Sequence, residues 1–179
     1  MIDLILGGAR SGKSRLAEQR ALSCGLPVTY IATATAGDGE MSERIAHHQA
    51  RRPGHWELLE EPLQLDAAIK RLTDSRRCLL VDCLTLWVSN WLMQDKPEGF
   101  AKAKQAVLAA LQATPHHVIL VSNETGMGVV PLGKISRDFV DVSGWLHQDI
   151  AAIADNVILT VAGLPMPLKL DGKPRFVFN

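Results

Sequence analysis

Short apolar runs alternate along this chain with longer stretches in which apolar residues recur at helical spacing. The runs predict buried strands at Ile2–Leu6, Val28–Thr33, Cys78–Asp82, His117–Ser122 and Asn156–Val161, with a brief strand at Trp56–Leu59. The longer stretches predict helices at Lys13–Cys24, Met41–Ala50, Leu63–Leu72, Leu84–Gln94, Phe100–Ala113 and Ile135–Ala154, the last broken near Gly144. Because strands separated by helices pair in parallel, the pattern predicts an α/β fold with a doubly wound, mostly parallel sheet.

The C-terminal region follows a different pattern. Leu168–Leu170 and Arg175–Phe178 flank Asp171-Gly172, a turn signal that suggests a terminal hairpin. No internal repeat or low-complexity linker interrupts the chain, and 179 residues are enough to bury one core. The sequence therefore predicts a single nucleotide-binding catalytic domain over residues 1–179, for the reasons given next.

Composition narrows the class of partner. The formal net charge is zero and the pI is about 7.0, so no overall positive field attracts nucleic acid or an anionic membrane. The longest apolar stretches are strand-length, which predicts no membrane span. Three cysteines (Cys24, Cys78 and Cys83) share no metal-type spacing, and the N-terminus reads as a strand rather than a leader. We therefore expect a cytoplasmic protein with reduced thiols that acts on small molecules.

The strongest chemical signal directly follows the first strand. Eight residues fit the P-loop pattern GxxxxGK[ST], namely Gly7, Gly8, Ala9, Arg10, Ser11, Gly12, Lys13 and Ser14. Such a loop aims backbone N–H groups at phosphate, and the following helix adds its positive end. Lys13 would reach the β- and γ-phosphates, and the Ser14 hydroxyl would hold Mg²⁺. The alternative is a chance glycine-rich turn, but the strand–loop–helix context favours a P-loop NTPase-type fold.

Asp82 is the second candidate. It ends the apolar run Cys78-Leu79-Leu80-Val81, which is the Walker B arrangement that places a carboxylate beside the P-loop to hold Mg²⁺. The alternative is an N-cap for the helix that begins near Leu84.

A basic helix face is the third candidate. Arg44, His47 and Arg51 lie at i, i+3 and i+7 and so share one side of a helix. The arginines could bind phosphate oxygens, and a neutral histidine nitrogen could attack phosphorus. Spacing alone favours a solvated face supported by i, i+4 ion pairs. His116 and His117, before a strand, give no functional signal, and His55 and His147 are predicted to be surface or core histidines.

Several motifs now form a recognisable series from Ile2 to about Lys169. In order these are GGARSGKS, a strand ending in YIATA, EMSERIAHHQAR, His55-Trp56, LLVDCLTLWVSN and VSNETGMGVVP. Together they resemble the bifunctional adenosylcobinamide kinase/adenosylcobinamide-phosphate guanylyltransferase family. The P-loop alone fits many functions, whereas the arginine–histidine helix and VSNETGMGVVP are far more specific.

The resemblance implies two reactions of cobalamin synthesis. The family phosphorylates adenosylcobinamide with ATP or GTP. A histidine, at the position of His47 here, then attacks the α-phosphorus of GTP and passes GMP to adenosylcobinamide phosphate, which gives adenosylcobinamide-GDP. His48 is the close competitor, although its register turns it away from Arg44 and Arg51. A corrinoid substrate, Mg²⁺ and a homo-oligomer are implied as well.

The resemblance also places nucleotide contacts outside the P-loop. They are Ala32, Thr33, Ala34, His48, Gln49, Ala50, Arg51 and Asp82. Glu60 or Glu61 would pair with guanine, because a carboxylate accepts from its N1–H and amine; the alternative is an exposed pair of acids. Glu124 would position a substrate hydroxyl or cap the turn before Gly126.

The role of two aromatic residues is left open by the sequence. Trp87 and Trp91 lie at i, i+4 on one helix face, which predicts either core packing or a subunit interface.

Two rival functions are also left open by the sequence. They are a monofunctional P-loop small-molecule kinase with another acceptor and a non-enzymatic nucleotide sensor.

Overall fold

A computed structural model describes residues 1–34, 53–71, 75–94 and 97–175. In these ranges the strands are β1 Ile2–Gly7, β2 Val28–Ala32, β3 Glu57–Glu60, β4 Cys78–Asp82, β5 His117–Asn123, β6 Asn156–Val161, β7 Leu164–Leu170 and β8 Lys173–Pro174. The helices are α1 Lys13–Ser23, α2 Leu65–Arg71, α3 Leu84–Leu92, α4 Pro97–Ala113 and α5 Lys134–Ile153.

The described strands form one sheet in the order β3-β2-β4-β5-β1-β6-β7-β8. All pairs from β3 to β6 are parallel, and β7 and β8 continue the sheet antiparallel. The predicted α/β class with a mostly parallel sheet is therefore confirmed. β1 lies inside the sheet between β5 and β6, so its carboxyl end opens among the ends of buried strands, where open α/β sheets bind ligands.

Side chains alternate in direction along each strand, so the hydrophobic core lies on both faces of the sheet. In β1, Leu4 and Leu6 pack on the face covered by α2 to α5, and Ile5 packs on the face covered by α1. Because neighbouring side chains of a strand point to opposite faces, a strand buried on both sides is apolar at every position. β4 repeats the arrangement, which explains why the parallel strands read as continuous apolar runs.

Most of the predicted helix and strand ends agree with the structure to within one or two residues. The predicted break in the last helix does not agree. α5 is continuous from Lys134 to Ile153, so the predicted break near Gly144 is wrong. A glycine costs a helix interior only about 1 kcal/mol, and the buried face formed by Leu146 and Ile150 offsets that cost. The predicted helix Met41–Ala50 lies outside the described residues.

The terminal hairpin is confirmed at Asp171-Gly172, where both residues have positive φ, 49° and 75°. Its second strand is Lys173–Pro174 and begins directly after the turn, earlier than the predicted Arg175–Phe178, of which residues 176–179 are not described. A second hairpin that the sequence pattern missed joins β6 to β7 through Ala162-Gly163, again with positive φ at both residues. Two-residue loops with this backbone match the twist of paired strands. Among the described residues no helix is both long and apolar enough to cross a membrane.

Candidate nucleotide-binding site

The P-loop joins the end of β1 to the start of α1. Arg10 and Gly12 have left-handed backbone angles, with φ of 55° and 97°, and the N–H of Ser11 donates to the carbonyl of Gly8 at 3.2 Å. A glycine-rich turn of this kind between a strand and a helix directs backbone N–H groups and the amino end of the helix toward a bound phosphate. The backbone here is therefore compatible with an anion cradle.

Two of the loop positions require glycine because neighbouring atoms leave no room for a Cβ. A Cβ on Gly7 would lie 2.4 Å from Ser11 Oγ and 2.6 Å from the carbonyl oxygen of Thr160. A Cβ on Gly12 would lie 3.1 Å from the Cα of Gly163, in addition to the strain of its positive φ. The N–H of Gly163 donates to the carbonyl of Ser11 at 2.9 Å. The β6–β7 hairpin therefore braces the P-loop from one side.

Lys13 lies near enough to the end of β4 for charges there to affect it. Its Nζ donates to the Gly8 carbonyl at 3.0 Å. Burial lowers the pKa of Lys13, while the nearby Cys83 and Asp82 raise it in opposition. The ammonium group thus lies within electrostatic reach of the Asp82 carboxylate, as a P-loop and a Walker B acid require.

Asp82 is held by a partner that the sequence did not reveal. The Tyr30 hydroxyl donates to Asp82 Oδ2 at 2.6 Å from the neighbouring strand β2. The capping alternative for Asp82 is wrong, because α3 has Cys83 as its N-cap residue and no side-chain cap hydrogen bond. The carboxylate therefore belongs to the sheet edge beside the P-loop rather than to the helix end.

Thr33 ties together the ends of β2 and β4. Its hydroxyl donates to the Cys83 carbonyl at 2.7 Å and accepts from the Cys83 N–H at 2.9 Å, and the side chain is fully buried. Ala32 also has a structural contact, since its carbonyl accepts from the Glu61 N–H at 2.9 Å. These residues and Ala34 lie at the same edge as Asp82, and their contact with nucleotide stays a prediction.

The two acids predicted to recognise guanine differ in their surroundings. Glu61 Oε1 accepts from the N–H groups of Leu63 and Gln64, at 3.1 and 2.8 Å, and so holds the turn that leads into α2. Glu60 is exposed at the end of β3. Glu61 therefore has a local structural role, and guanine recognition by either acid stays a prediction.

The half-buried Glu124 and the buried His147 lie close together at the end of β5. The Glu124 N–H donates to the Gly7 carbonyl at 3.0 Å, and its Oε1 accepts from Gly126 at 2.6 Å, which shows the turn-capping contact. Ser122 Oγ lies 2.8 Å from His147 Nε2, and Glu124 Oε2 lies 3.9 Å from His147 Nδ1. Burial lowers the pKa of His147, against the opposing effect of Glu124. Of the two positions left open for His147, surface or core, the structure shows the core.

The tryptophan pair belongs largely to the core. Trp87 is fully buried, its ring centroid lies 5.4 Å from that of Phe100, and its Nε1 donates to the Leu63 carbonyl at 2.9 Å. Trp91 donates to the same carbonyl at 3.2 Å. Exposed apolar side chains concentrate instead in residues 127–135, which include Val129 and Leu132 at 95% and 98% exposure. No sequence motif marked this segment as an interface.

The predicted basic helix face lies outside the described residues. That holds for Arg44, His47, His48, Gln49, Ala50 and Arg51. The assignment of His47 as nucleophile therefore stays a prediction, as do the nucleotide contacts of residues 48–51.

Comparisons with known proteins show the family of this chain. The model of the family described as cobinamide kinase/cobinamide phosphate guanyltransferase matches residues 3–168. The chain is 61% identical to the bifunctional adenosylcobalamin biosynthesis protein CobP of Pseudomonas aeruginosa, over 97% of this chain and 99% of that one. It is 40% identical to the corresponding protein CobU of Salmonella typhimurium, over 94% of this chain and 100% of the relative.

One solved structure shows the fold alone. A protein from Pyrococcus horikoshii OT3 superposes with a TM-score of 0.57 at 11% identity, over 97% of this chain and 90% of that chain. The family match spans nearly the whole chain, and the P-loop and Asp82 lie inside it at one sheet edge. The chain therefore belongs to the cobinamide kinase/cobinamide phosphate guanyltransferase family.

Proposed function

We propose that this protein phosphorylates a hydroxyl of adenosylcobinamide with ATP or GTP and then transfers GMP from GTP to the new phosphate. The proposal rests on the family match over residues 3–168. The structural observation that carries it is that the P-loop follows β1 and Asp82 ends β4 at the same edge of one parallel sheet, where Tyr30 holds the Asp82 carboxylate. A cationic side chain, a carboxylate and a backbone cradle at one point are the parts that phosphoryl transfer needs.

In the kinase step the chain mainly positions and neutralises charge. The loop amides and the amino end of α1 would hold the phosphates, and Lys13 would offset charge that develops on the transferring group. Ser14 and Asp82 offer a hydroxyl and a carboxylate, the hard oxygen donors that suit Mg²⁺. When bound there, Mg²⁺ would neutralise phosphate charge; the Tyr30 hydrogen bond keeps the Asp82 side chain oriented.

In the guanylyl step a neutral His47 nitrogen would attack the α-phosphorus of GTP. The new phosphorus–nitrogen bond forms as the bond to the bridging oxygen breaks, and pyrophosphate leaves with that electron pair. An oxygen of the substrate phosphate then attacks the same phosphorus and releases His47 unchanged. Two in-line displacements replace one direct transfer between two anions. Each displacement has a lower barrier than the direct transfer would have.

The exposed apolar segment, residues 127–135, supports a further part of the proposal. Exposed patches of this kind mark contact surfaces. We propose that the protein is a homo-oligomer and that this segment, beside the P-loop edge through Glu124, contributes to subunit contact. The location of the protein in the cytoplasm stays a prediction, supported by three cysteines without a disulfide.

Labelling with α-labelled GTP and Mg²⁺ tests the covalent step. Wild-type protein should retain label after alkali and lose it in acid, because protonation makes imidazole a good leaving group. His47→Ala should take up no label and transfer no GMP while it keeps substantial kinase activity, since hydroxyl phosphorylation needs no histidine adduct. His48→Ala is the matched control and should label normally.

Three results would overturn the proposal in distinct ways. Full labelling of His47→Ala would reassign the nucleophile, with His48 as the next residue to test. Kinase activity without any label on the wild type would indicate a monofunctional kinase. Nucleotide binding with neither phosphorylation nor transfer would indicate a sensor.

A further inference from the structure

Two thiols and an imidazole meet at the edge of the sheet opposite the P-loop. Cys24 is the C-cap residue of α1, Cys78 begins β4 and His117 begins β5. One ligand atom from each of these residues lies within 4.8 Å of the others. We call this group the thiol–imidazole cluster. Its members are separated by about 40 to 50 residues along the chain, so sequence spacing could not indicate it.

A buried carboxylate orients the imidazole of the cluster. Asp3 Oδ2 lies 3.0 Å from His117 Nε2, and the Asp3 side chain is fully buried. Arg20 and Asn156 fix the same carboxylate, at 2.8 and 2.6 Å. Metal-binding histidines characteristically use one ring nitrogen for the ion and the other for such an oxygen acceptor. With Nε2 engaged by Asp3, Nδ1 is the nitrogen that remains for an ion.

A cavity of about 330 Å³ adjoins the cluster and is lined by both Cys24 and His117. Cys78 lies beneath, with no exposed surface. An ion could therefore enter from the cavity, and a water molecule there could complete its coordination. A zinc ion with three protein ligands commonly takes water as the fourth.

We propose that Cys24 Sγ, Cys78 Sγ and His117 Nδ1 bind one Zn²⁺ ion, with a fourth ligand from the cavity. Soft thiolates and imidazole favour zinc over the hard Mg²⁺ expected beside Asp82, so the two sites would select different metals. Zn–S bonds of about 2.3 Å in a tetrahedron separate two sulfurs by about 3.8 Å. The two sulfurs lie within 4.8 Å of each other, so they would need to approach by about 1 Å or less.

Binding would release one proton from each thiol to solvent, and the two thiolates would balance the charge of the ion. A metal ion binds thiolate rather than thiol, so it must displace a proton from each cysteine. Zinc affinity should accordingly fall as the pH is lowered. The bound ion would join the end of α1 to β4 and β5, at the end of the helix remote from the P-loop.

Competition with a chromophoric zinc chelator tests the proposal on the full-length, reduced protein. Wild type should bind one Zn²⁺ per chain, and Cys24→Ala should bind at least about 100-fold more weakly, because it loses one of three ligands. Cys24 is only partly buried, which makes this the mildest of the three ligand substitutions. Cys83→Ala is the matched control and should still bind one ion, because Cys83 lies at the opposite sheet edge beside Lys13.

Two further readouts do not depend on the variant. A Zn²⁺ concentration of about 100 times Kd should raise the Tm of wild type by roughly 5–10 °C. Co²⁺ in place of Zn²⁺ should give thiolate-to-metal charge-transfer absorption, and bound Zn²⁺ should slow alkylation of Cys24 but not of Cys83.

The proposal is overturned if the wild type binds no Zn²⁺, or if Cys24→Ala binds it as tightly as wild type does. Air oxidation that links Cys24 to Cys78 in a protein that binds no zinc would identify the pair as a disulfide instead. None of these results bears on the proposed transferase function, because the labelling experiment with GTP measures a different edge of the sheet.

Discussion

Asp3 should stabilise the fold through its charge, in a way that a pH titration can measure. The side chain is fully buried at the start of β1 and contacts Arg20, His117 and Asn156. Burial raises the pKa of Asp3, but the hydrogen bonds from His117, Arg20 and Asn156 outweigh burial and lower it from 3.8 to about 2. The ionised form is therefore favoured in the folded protein.

The size of this stabilisation follows from the shift. The fall in the pKa of Asp3 from 3.8 to about 2 corresponds to about 2 kcal/mol in the free energy of unfolding. Because the folded pKa is below the unfolded one, the full contribution is present above pH 3.8 and is lost as the pH falls toward 2. Asp3→Asn should therefore lower the Tm at neutral pH by about 4–8 °C.

Urea unfolding of wild type and Asp3→Asn across a pH series isolates this carboxylate from the other acids. The difference in unfolding free energy between the two proteins should narrow by about 1 kcal/mol between pH 6 and pH 3. Asp171→Asn is a matched control in an exposed turn, and we expect it to change stability by no more than about 0.5 kcal/mol. A difference between wild type and Asp3→Asn that stays constant over this pH range would refute the charge-based account.

Three further substitutions test the nucleotide site and its surroundings. Lys13→Ala should lower kinase and GMP-transfer rates together by about 10²-fold, because one lysine would offset phosphate charge in both transition states. Separate assays of the two rates measure this, and full GMP transfer would reveal a second nucleotide site. Asp82→Asn should raise the Mg²⁺ concentration needed for half-maximal kinase activity and change the Tm little, since asparagine can still accept from Tyr30. An unchanged Mg²⁺ dependence with a large fall in Tm would indicate a purely structural residue. His147→Gln should reduce the loss of stability below pH 6.5, because burial lowers the pKa of His147 and protonation then favours the unfolded chain. Identical urea unfolding of variant and wild type from pH 7 to pH 5 would contradict this.

The sequence could predict those parts of the site that are local in the chain. The P-loop is contiguous, and Asp82 is the last residue of its strand, so a motif and an apolar run were enough to identify both. The partner of Asp82 was not predictable in the same way. Tyr30 meets it only because β2 pairs with β4 in a register that places Ala32 opposite Asp82. The register of strand pairing depends on the whole sheet, so it cannot be deduced from a single segment of the sequence.

The missed β6–β7 hairpin has a different cause. Pro165 and Pro167 argue against a strand, because proline cannot donate to a ladder. They are tolerated here because β7 lies near the edge of the sheet, where β8 pairs only with Lys169 and Leu170. Ala162 also gave no turn signal, since residues with positive φ are usually glycine, asparagine or aspartate.

That hairpin matters to the site because the phosphate cradle is held on both sides. The Glu124 N–H binds the Gly7 carbonyl from β5, and the Gly163 N–H binds the Ser11 carbonyl from the β6–β7 turn. These bonds fix loop carbonyls to the sheet and to the turn, so the backbone has little freedom to lose when phosphate binds. Donors fixed in advance stabilise developing charge without reorganisation at the moment of reaction. The catalytic capacity of the P-loop therefore depends on two strand ends that carry no part of its motif.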